Sequence, residues 1–279
     1  MPTSKKVESI KRLGIIAGGG QLPFRLVEAC KQNNIEPFVI ALKGQTDDNL
    51  IKDISHQWVS LGSAGKIINF FKSNDVTDLV MIGSVQRPSL SQIKPDLRGV
   101  QILTKIGFKS LGDNQLLEIL EQELKLEGFT LHGIHDFCNE LLAPSGAIGE
   151  YKPTQSELDN IEVGIVAAQR LGELDIGQSV IVQQGIVIAV EGAEGTDELI
   201  KRSKILLKKG DKGILVKTKK PQQSKHLDLP TIGIDTIENA YNAGLAGIAI
   251  HANNVLITNI KDITERANKY KLFIYGVDI

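Results

Sequence analysis

Short apolar runs alternate with segments of helical periodicity through the first half of the chain, and this alternation limits the fold more than any other feature of the sequence. The apolar runs are 13–17, 38–42, 57–61 and 78–83. Between the last two runs, Ile67, Ile68 and Phe71 follow the spacing of one helix face. Near-continuous apolar strands that alternate with helices are typical of a parallel sheet covered on both faces. The first half is therefore predicted to be a Rossmann-like α/β domain.

A glycine turn follows the first apolar run. Gly18, Gly19 and Gly20 precede Gln21, and a helix is predicted from Leu22 onward. Three glycines let the backbone come close to a ligand, and the helix N-terminus offers unpaired N–H groups to an anion such as a phosphate. A tight strand-to-helix connection is the alternative, and it stays open. The turn lacks the pattern G-x-G-x-x-G, so a nicotinamide cofactor is not predicted.

A second candidate loop, 83–88, follows the fourth apolar run. Ligands of open parallel sheets gather beyond the carboxyl ends of the strands, which here include this loop and the glycine turn. Arg87 would offer an anion a planar set of N–H donors. A solvated surface arginine is the alternative.

The second half of the chain contains a predicted antiparallel hairpin. Its strands are the apolar runs 180–182 and 186–190, which a short glycine-bearing loop joins. Earlier in this half, Thr154 and Glu157 have the spacing of a capping box at the start of a long helix. We therefore predict a Rossmann-like N-terminal domain over residues 1–140 and a mixed α/β C-terminal catalytic domain over residues 141–279.

An acidic loop that contains two glycines follows the hairpin. It carries Glu194 and Asp197, and Thr196 is predicted to cap a helix that begins at Asp197. Carboxylates on such a loop suit Mg²⁺, which takes oxygen ligands. They equally suit a helix N-terminus, where acidic side chains face the positive end of the dipole. The residues leave both interpretations open.

Asp228 lies between two leucines and is followed by Pro230, which restricts the backbone around it. Asp235 and Glu238 are predicted to form the capping box of the next helix. Asp228 is therefore expected at the rigid mouth of a loop that leads into a helix, and a simple turn cap is the alternative. The strand that ends at Lys217 is expected to bring this lysine close to the same loop, where it could meet an anionic ligand.

Composition argues against several classes of function. The 32 basic and 33 acidic residues leave a net charge of −1, and only 5% of residues are aromatic, so nucleic-acid binding is not predicted. Cys30 and Cys138 lack C-x-x-C partners, which favours a reduced cytoplasmic setting. No apolar run approaches the roughly 18 residues of a membrane span, and the polar start does not resemble a secretory signal. The five histidines show no metal-binding spacing, so a zinc site is not predicted.

Seven sequence segments, taken in order, resemble one family: the UDP-2,3-diacylglucosamine pyrophosphatases of lipid A biosynthesis that are unrelated to metallophosphoesterases. In the first half the matching segments are LGIIAGGGQLP (13–23), IGSVQRP (82–88) and GDNQLL (112–117). In the second half they are DIGQ (175–178), AVEGAEGTD (189–197), DLPTIG (228–233) and AGLAGI (243–248). Together they cover nearly the whole chain. Asn114 stands where the family pattern leads us to expect a second Asp, which weakens any metal role for that loop.

The resemblance implies two domains with the substrate between them. It implies Mg²⁺-dependent hydrolysis of UDP-2,3-diacylglucosamine to UMP and 2,3-diacylglucosamine 1-phosphate, by attack of water on the pyrophosphate. The essential Asp of the family's D-L-P-x-I-G motif corresponds to Asp228. We predict Asp228, Glu194 and Asp197 as metal ligands. The predicted substrate contacts are Gly18, Gly19, Gly20, Gln21, Arg87, Gln178, Thr196, Lys217 and Thr231.

The implied substrate also sets expectations about location and partners. A diacylated substrate is held in a bilayer, so a cytoplasmic protein with transient contact to the cytoplasmic leaflet of the inner membrane is expected. The basic run 201–220 could assist this contact by attraction to anionic lipid. A homodimer is compatible with the sequence. A non-catalytic module that binds a nucleotide sugar or a lipid on the same scaffold is the alternative function.

Overall fold

The structure, a computed structural model, describes residues 7, 9–85, 95–106 and 113–279. The chain divides into two compact units. The first comprises Met1–Asn139 with Ser224–Asp228, and the second comprises Glu140–Gln223 with Leu229–Ile279. The sequence-based division at residue 140 stays a prediction. The structure adds that the short segment 224–228 packs with the first unit.

A five-stranded parallel sheet forms the centre of the first unit, with the strand order β3-β2-β1-β4-β5. Its strands are β1 (Arg12–Ala17), β2 (Glu36–Leu42), β3 (Ser55–Val59), β4 (Asp78–Ile82) and β5 (Thr130–His132). The helices of this unit are α1 (Leu22–Gln32), α2 (Ala64–Ser73), α3 (Leu97–Ile106) and α4 (Asp113–Leu126). The predicted Rossmann-like parallel sheet is confirmed.

The third strand lies two residues earlier than the predicted run 57–61. Strand β3 pairs with β2 residue for residue, from Phe38 opposite Ser55 to Leu42 opposite Val59. The strand therefore ends at Val59, where its partner ends. Pairing with a neighbour, which apolarity alone does not report, sets the boundary.

The second unit contains a six-stranded mixed sheet with the order β6-β13-β11-β9-β7-β8 and a two-stranded parallel sheet of β10 and β12. The strands are β6 (Gly146–Ala147), β7 (Ser179–Gln183), β8 (Ile186–Val190), β9 (Ile214–Lys217), β10 (Thr231–Ile232), β11 (Gly247–His251), β12 (Leu256–Ile257) and β13 (Phe273–Val277). The helices are α5 (Gln155–Glu173), α6 (Thr196–Ser203), α7 (Ile234–Ala243) and α8 (Ile260–Tyr270). Strands β7 and β8 form the predicted antiparallel hairpin.

Both faces of the mixed sheet are covered, and the alternation of side chains along each strand assigns residues to the two faces. Val180 and Val182 of β7 pack in one cluster with Ile161 of α5. Ile181, between them, packs in the other cluster with Leu199 of α6, which also contains apolar residues of α7 and α8. This two-sided burial explains why the strands are apolar at consecutive positions.

The capping predictions had different outcomes. At the start of α5, Glu157 N donates to Thr154 Oγ1 (3.4 Å) and Thr154 N donates to Glu157 Oε2 (2.7 Å), so the capping box is confirmed. The predicted box of Asp235 and Glu238 is wrong. Helix α7 begins at Ile234, and Gly233 occupies the capping position. Glu238 contacts Arg266 and Tyr270 of α8 instead, because a partner of opposite charge is within its reach.

Among the described residues, no helix combines the length and the apolar character needed to cross a bilayer.

Candidate functional site

The carboxyl ends of β1, β4 and β5 lie side by side at one edge of the first sheet, because the three strands are parallel neighbours. The glycine turn follows β1, Gly83 and Ser84 follow β4, and Gly133 to Asp136 follow β5. This edge is where ligands of such sheets bind. The glycine turn, the residues after β4 and the residues after β5 are therefore the candidate ligand-binding groups of the first unit.

Gly18 and Gly19 are held by backbone hydrogen bonds to the neighbouring loop. Gly18 N donates to Ile82 O (2.8 Å), and Gly19 N donates to Ser84 O (2.8 Å). A Cβ atom on Gly18 would lie 2.5 Å from Ser84 O, so the glycine permits the close approach of two loops. The tight-connection interpretation thus accounts for Gly18 and Gly19, whose N–H groups are already bonded. Contact of these two residues with a substrate stays a prediction.

Gly20 differs from the two glycines before it. It is exposed, its φ of 89° lies in the left-handed region that favours glycine, and a Cβ atom there would meet nothing within 4 Å. Gln21, also exposed, precedes α1 without a side-chain hydrogen bond to the helix N-terminus. This end of the turn is open to a ligand. Arg87 lies outside the described residues.

Asp228 is the exposed residue between two buried leucines. Leu227, 8% exposed, packs in the apolar core of the first unit, and Leu229, 7% exposed, belongs to the second unit. Asp228 N approaches Ser224 O at 3.5 Å, and Pro230 O accepts a hydrogen bond from Leu256 N (2.8 Å). Asp228 is therefore exposed and has a buried leucine on each side, and its role in catalysis stays a prediction.

A cluster of histidines surrounds Asp136, directly after β5. His135 Nε2 lies 3.8 Å from Asp136 Oδ1, and His226 Nδ1 lies 4.0 Å from Asp136 Oδ2. The rings of His135 and His226 stack with centroids 6.2 Å apart. His132, which is buried, places Nδ1 3.7 Å from Asp136 Oδ2 and Nε2 2.8 Å from Asp78 Oδ1. Three histidines and two carboxylates thus form one network in the first unit.

The network shifts the titration of its members. The contact with Asp136, opposed by burial and aided by Asp78, raises the pKa of His132. The contact with His132 in turn holds the pKa of Asp136 below its usual range. Burial lowers the pKa of His135. At neutral pH, Asp136 is therefore an ionised acceptor and His135 is a neutral imidazole.

Sequence reasoning did not find this cluster. His226 is remote in the chain from His135 and Asp136, so no regular ligand spacing exists. The available signal was local, because His132, His135 and Asp136 fall within five consecutive residues. The fold thus brings His132, His135 and His226 together, although their spacing in the sequence is not that of a metal site.

A second network, in the second unit, is organised around Lys217, which is 6% exposed. Lys217 Nζ donates to Thr196 Oγ1 (3.0 Å) and to Thr231 O (2.9 Å). Thr196 Oγ1 donates to Glu191 Oε1 (2.9 Å), and the Gln178 backbone N donates to Glu191 Oε2 (3.1 Å). The four substrate-contact candidates of this half, Gln178, Thr196, Lys217 and Thr231, therefore lie in one network. Their contact with a substrate stays a prediction.

The prediction that Thr196 caps a helix beginning at Asp197 is wrong. Helix α6 begins at Thr196 itself, and Gly195 precedes it without a side-chain cap. The hydroxyl is engaged by Lys217 and Glu191 and does not serve the helix N-terminus. Nearby, the side-chain amide oxygen of Gln178 is buried without a hydrogen-bond partner among the described residues.

Glu194 and Asp197 make other contacts at the surface of the second unit. Glu194 Oε1 pairs with Arg202 Nη2 (2.8 Å). Backbone hydrogen bonds, and then this contact with Arg202, lower the pKa of Glu194. Asp197 Oδ1 accepts a hydrogen bond from Asn239 Nδ2 (3.2 Å). Among the described residues, the group of three side chains with metal-ligand spacing is His135, Asp136 and His226, and it includes neither of these carboxylates. Their role as metal ligands stays a prediction.

Comparisons with known proteins cover both halves of the chain. The family model described as LpxI N-terminal domain matches residues 12–141, and the model described as LpxI C-terminal domain matches residues 144–275. A curated relative from Caulobacter vibrioides, named UDP-2,3-diacylglucosamine pyrophosphatase LpxI, is 34% identical over 276 residues. That alignment covers 96% of this chain and 98% of the relative.

Solved structures give a weak likeness. A biotin carboxylase domain of a thermophilic 2-oxoglutarate carboxylase bound to ADP has 13% identity and a TM-score of 0.25, with 61% of this chain and 34% of that chain covered. The biotin carboxylase subunit of pyruvate carboxylase has 14% identity and the same TM-score, with coverage of 66% and 36%. The chain spans about a third of the length of these structures, and TM-scores of this size do not establish a common fold. The two family models and the Caulobacter relative, in contrast, extend over nearly the whole chain, and the chain belongs to the LpxI family.

Proposed function

We propose that the protein hydrolyses the pyrophosphate of UDP-2,3-diacylglucosamine to UMP and 2,3-diacylglucosamine 1-phosphate, with Mg²⁺ as cofactor, in lipid A biosynthesis. The observation that carries this proposal is the near full-length match to a relative whose name gives the substrate and the pyrophosphatase activity. Both family models support it, because together they span residues 12–275 apart from two positions between them.

Asp228 is the proposed catalytic residue. This residue is exposed, and the leucines before and after it are buried. A carboxylate in this position can orient the attacking water or accept its proton, and either role requires a fixed geometry. The segment 228–233 carries the family's D-L-P-x-I-G pattern, which supports the choice of this residue among the 33 acidic ones.

The donor chemistry of Asp228 also fits Mg²⁺, which prefers carboxylate oxygens and retains several waters. When bound, Mg²⁺ would neutralise charge that develops on the pyrophosphate oxygens. Glu194 fits less well as a ligand, because Arg202 already compensates its charge. Asp197 retains a carboxylate oxygen that is not engaged by Asn239. Asp228 is therefore our first choice as a magnesium ligand, followed by Asp197.

Substrate recognition is proposed for two groups of residues, one in each unit. In the first unit, Gly20 and Gln21 offer exposed backbone at the start of α1, which suits a phosphate or uridine group. In the second unit, the positive charge of Lys217 and the polar groups of Gln178, Thr196 and Thr231 suit an anionic group. Gly18, Gly19 and Arg87 complete the proposed set.

The acylated substrate leads us to propose a cytoplasmic location with transient contact to the inner-membrane leaflet. The basic run 201–220 supports this, since clustered lysines are attracted to anionic lipid. A homodimer is the proposed assembly, and its test is the mass of the purified protein in solution.

The test of function is release of UMP from UDP-2,3-diacylglucosamine by purified protein, with and without Mg²⁺. We expect release only with Mg²⁺, and we expect Asp228→Ala and Asp228→Asn to lower the rate by at least about 100-fold. Both variants should still bind the substrate, as measured by calorimetry. The matched control is Asp53→Asn, which changes another exposed aspartate of the first unit and should retain the rate.

Three outcomes would contradict parts of the proposal. Wild-type protein that binds the substrate without releasing UMP would favour the non-catalytic binding module. Full activity of Asp228→Ala would remove Asp228 from the mechanism. Equal rates with and without Mg²⁺, after treatment with a chelator, would remove the cofactor.

A further inference from the structure

The histidine cluster of the first unit has the composition of a metal site. His135, Asp136 and His226 each offer one ligand atom, and these atoms lie within 4.8 Å of one another. The side chain of His226 is half exposed, while those of His135 and Asp136 are 16% and 23% exposed. One side of the cluster is thus reachable from solvent and the other is enclosed by protein.

Asp136 is held in place by groups that do not belong to the three ligands. Its Oδ2 accepts a hydrogen bond from Gly133 N (3.1 Å) and lies 3.7 Å from His132 Nδ1. His132 is in turn anchored to Asp78 of β4 at 2.8 Å. Such outer partners are what fix the orientation of ligating side chains in metal sites.

His135 is also positioned by packing. A Cβ atom on Gly133 would overlap the imidazole of His135, so the glycine makes room for the ring. Its Nδ1 is buried without a hydrogen-bond partner among the described residues, and its Nε2 lies 3.8 Å from Asp136. The ring therefore has a fixed place and a nitrogen directed at the carboxylate.

We propose that His135, Asp136 and His226 bind a divalent first-row transition-metal ion. Two imidazoles with one carboxylate suit ions such as Zn²⁺ or Co²⁺, whereas Mg²⁺ prefers oxygen ligands alone. Bonds of about 2.0–2.2 Å place adjacent ligand atoms about 3.0–3.5 Å apart. Both observed separations must therefore shorten slightly. Rotation of the exposed His226 side chain can shorten the 4.0 Å separation between His226 and Asp136, and the 3.8 Å separation between His135 and Asp136 requires a small rotation of the Asp136 carboxylate.

This ion would connect two parts of the first unit that are distant in sequence. His135 and Asp136 follow β5, whereas His226 belongs to the segment 224–228. A metal bond to His226 would fasten that segment two residues before Asp228. The ion thereby acts as a positioning element for the Asp228 carboxylate, in addition to the Mg²⁺ of the proposed function.

The test uses Co²⁺ alone, added to chelator-treated full-length protein and followed by visible absorption and calorimetry. We expect one ion per chain and at least about tenfold weaker binding by His226→Ala, which removes an exposed ligand and leaves the core intact. The control, His56→Ala, removes another exposed histidine of the first unit, whose Nδ1 lies 2.8 Å from Ile54 O, and this variant should bind Co²⁺ as wild type does. Asp136→Asn should also weaken binding.

A second readout separates the metal site from general stability. Zn²⁺ should raise the melting temperature of wild type and of His56→Ala by more than that of His226→Ala, because binding to the folded state adds to its stability. Absence of Co²⁺ binding by wild type, or equal affinity of His226→Ala, would overturn the proposal. Mg²⁺-dependent UMP release is measured on the same samples, so failure of the metal site and failure of the proposed hydrolysis are distinguished.

Discussion

The ammonium group of Lys217 donates a hydrogen bond to the hydroxyl of Thr196 at 3.0 Å, inside the second unit. The same hydroxyl lies 2.9 Å from Glu191 Oε1. Since a hydroxyl has one hydrogen and here accepts from Lys217, it donates its own hydrogen bond to the carboxylate. Thr196 therefore links a buried cation to a buried anion. Glu191 and Lys217 are both 6% exposed, so each depends on protein partners to replace water.

Removal of this hydroxyl should destabilise the protein. Thr196→Val keeps the shape of the side chain but leaves Lys217 and Glu191 each without one partner, and we expect a loss of about 1–3 kcal/mol in the free energy of unfolding. Urea denaturation followed by circular dichroism measures it. Thr196→Ser should retain most of the stability, and Thr104→Val, on the exposed surface of α3, serves as the control. Equal stability of Thr196→Val and wild type would show that the linkage contributes nothing.

Addition of one methyl group at Gly18 should separate the two loops that it joins. Because its Cβ would lie 2.5 Å from Ser84 O, we expect Gly18→Ala to lower the free energy of unfolding by about 1–3 kcal/mol. Gly19→Ala is the graded comparison, since its nearest atom, Gln45 O, would be 3.0 Å away, and it should cost less. Thermal unfolding of both variants gives the order. A larger loss for Gly19→Ala would contradict this account of the turn.

The sequence predicts elements whose signal is local. Continuous apolar runs give the strands of the parallel sheet, since their residues are buried on both faces. The spacing of Thr154 and Glu157 gives the start of α5, since both partners of that cap lie within one turn. The exposure of Asp228 between two buried leucines is also a local feature, because the three residues are consecutive in the chain.

Features that depend on partners remote in sequence were not predicted. Glu238 has the spacing of a capping residue, but the competing contacts with Arg266 and Tyr270 lie 28 and 32 positions away. The metal-site proposal likewise combines His226 with residues after β5, and only the fold brings them together. Lys217 was expected near the loop that contains Asp228. The hydroxyl of Thr196 was assigned to a helix cap, because the sequence does not reveal its buried partners, Lys217 and Glu191.

An acid-sensitive ion pair fastens α2 to the end of α4. Glu127 Oε2 accepts from Lys72 Nζ at 2.6 Å, and Arg98 also contacts this carboxylate. These contacts, led by the hydrogen bond from Lys72, lower the pKa of Glu127 from its ordinary value of about 4.5. A carboxyl group whose pKa is lower in the folded state stabilises the protein above its unfolded pKa, and this contribution is lost as the pH falls through the folded value.

Glu127→Gln should therefore be less stable than wild type near neutral pH and should match it in acid. The difference should not exceed about 1 kcal/mol, since the pair is partly exposed and solvent screens it. Urea denaturation of both proteins, at neutral pH and at a pH below the ordinary pKa of glutamate, measures the difference in the free energy of unfolding under each condition. Glu162→Gln, on the exposed face of α5, is expected to leave the stability unchanged at either pH. A loss of stability in Glu127→Gln that becomes larger in acid would contradict this prediction.

The two cysteines should be inert in the folded protein. Cys30 and Cys138 are not joined in a disulfide and have exposures of 0% and 1%, and burial, together with Cys138, raises the pKa of Cys30 to about 12. The thiolate is the reactive form, and the raised pKa keeps the Cys30 thiol protonated near pH 8. An aromatic disulfide reagent, which releases a coloured thiolate when it reacts with a cysteine, should therefore label neither cysteine of the native protein within minutes. In denaturant both cysteines should react at once, and this reaction gives the total number of thiols. Rapid labelling of one thiol in native protein would contradict the prediction and would show that this part of the first unit opens to solvent.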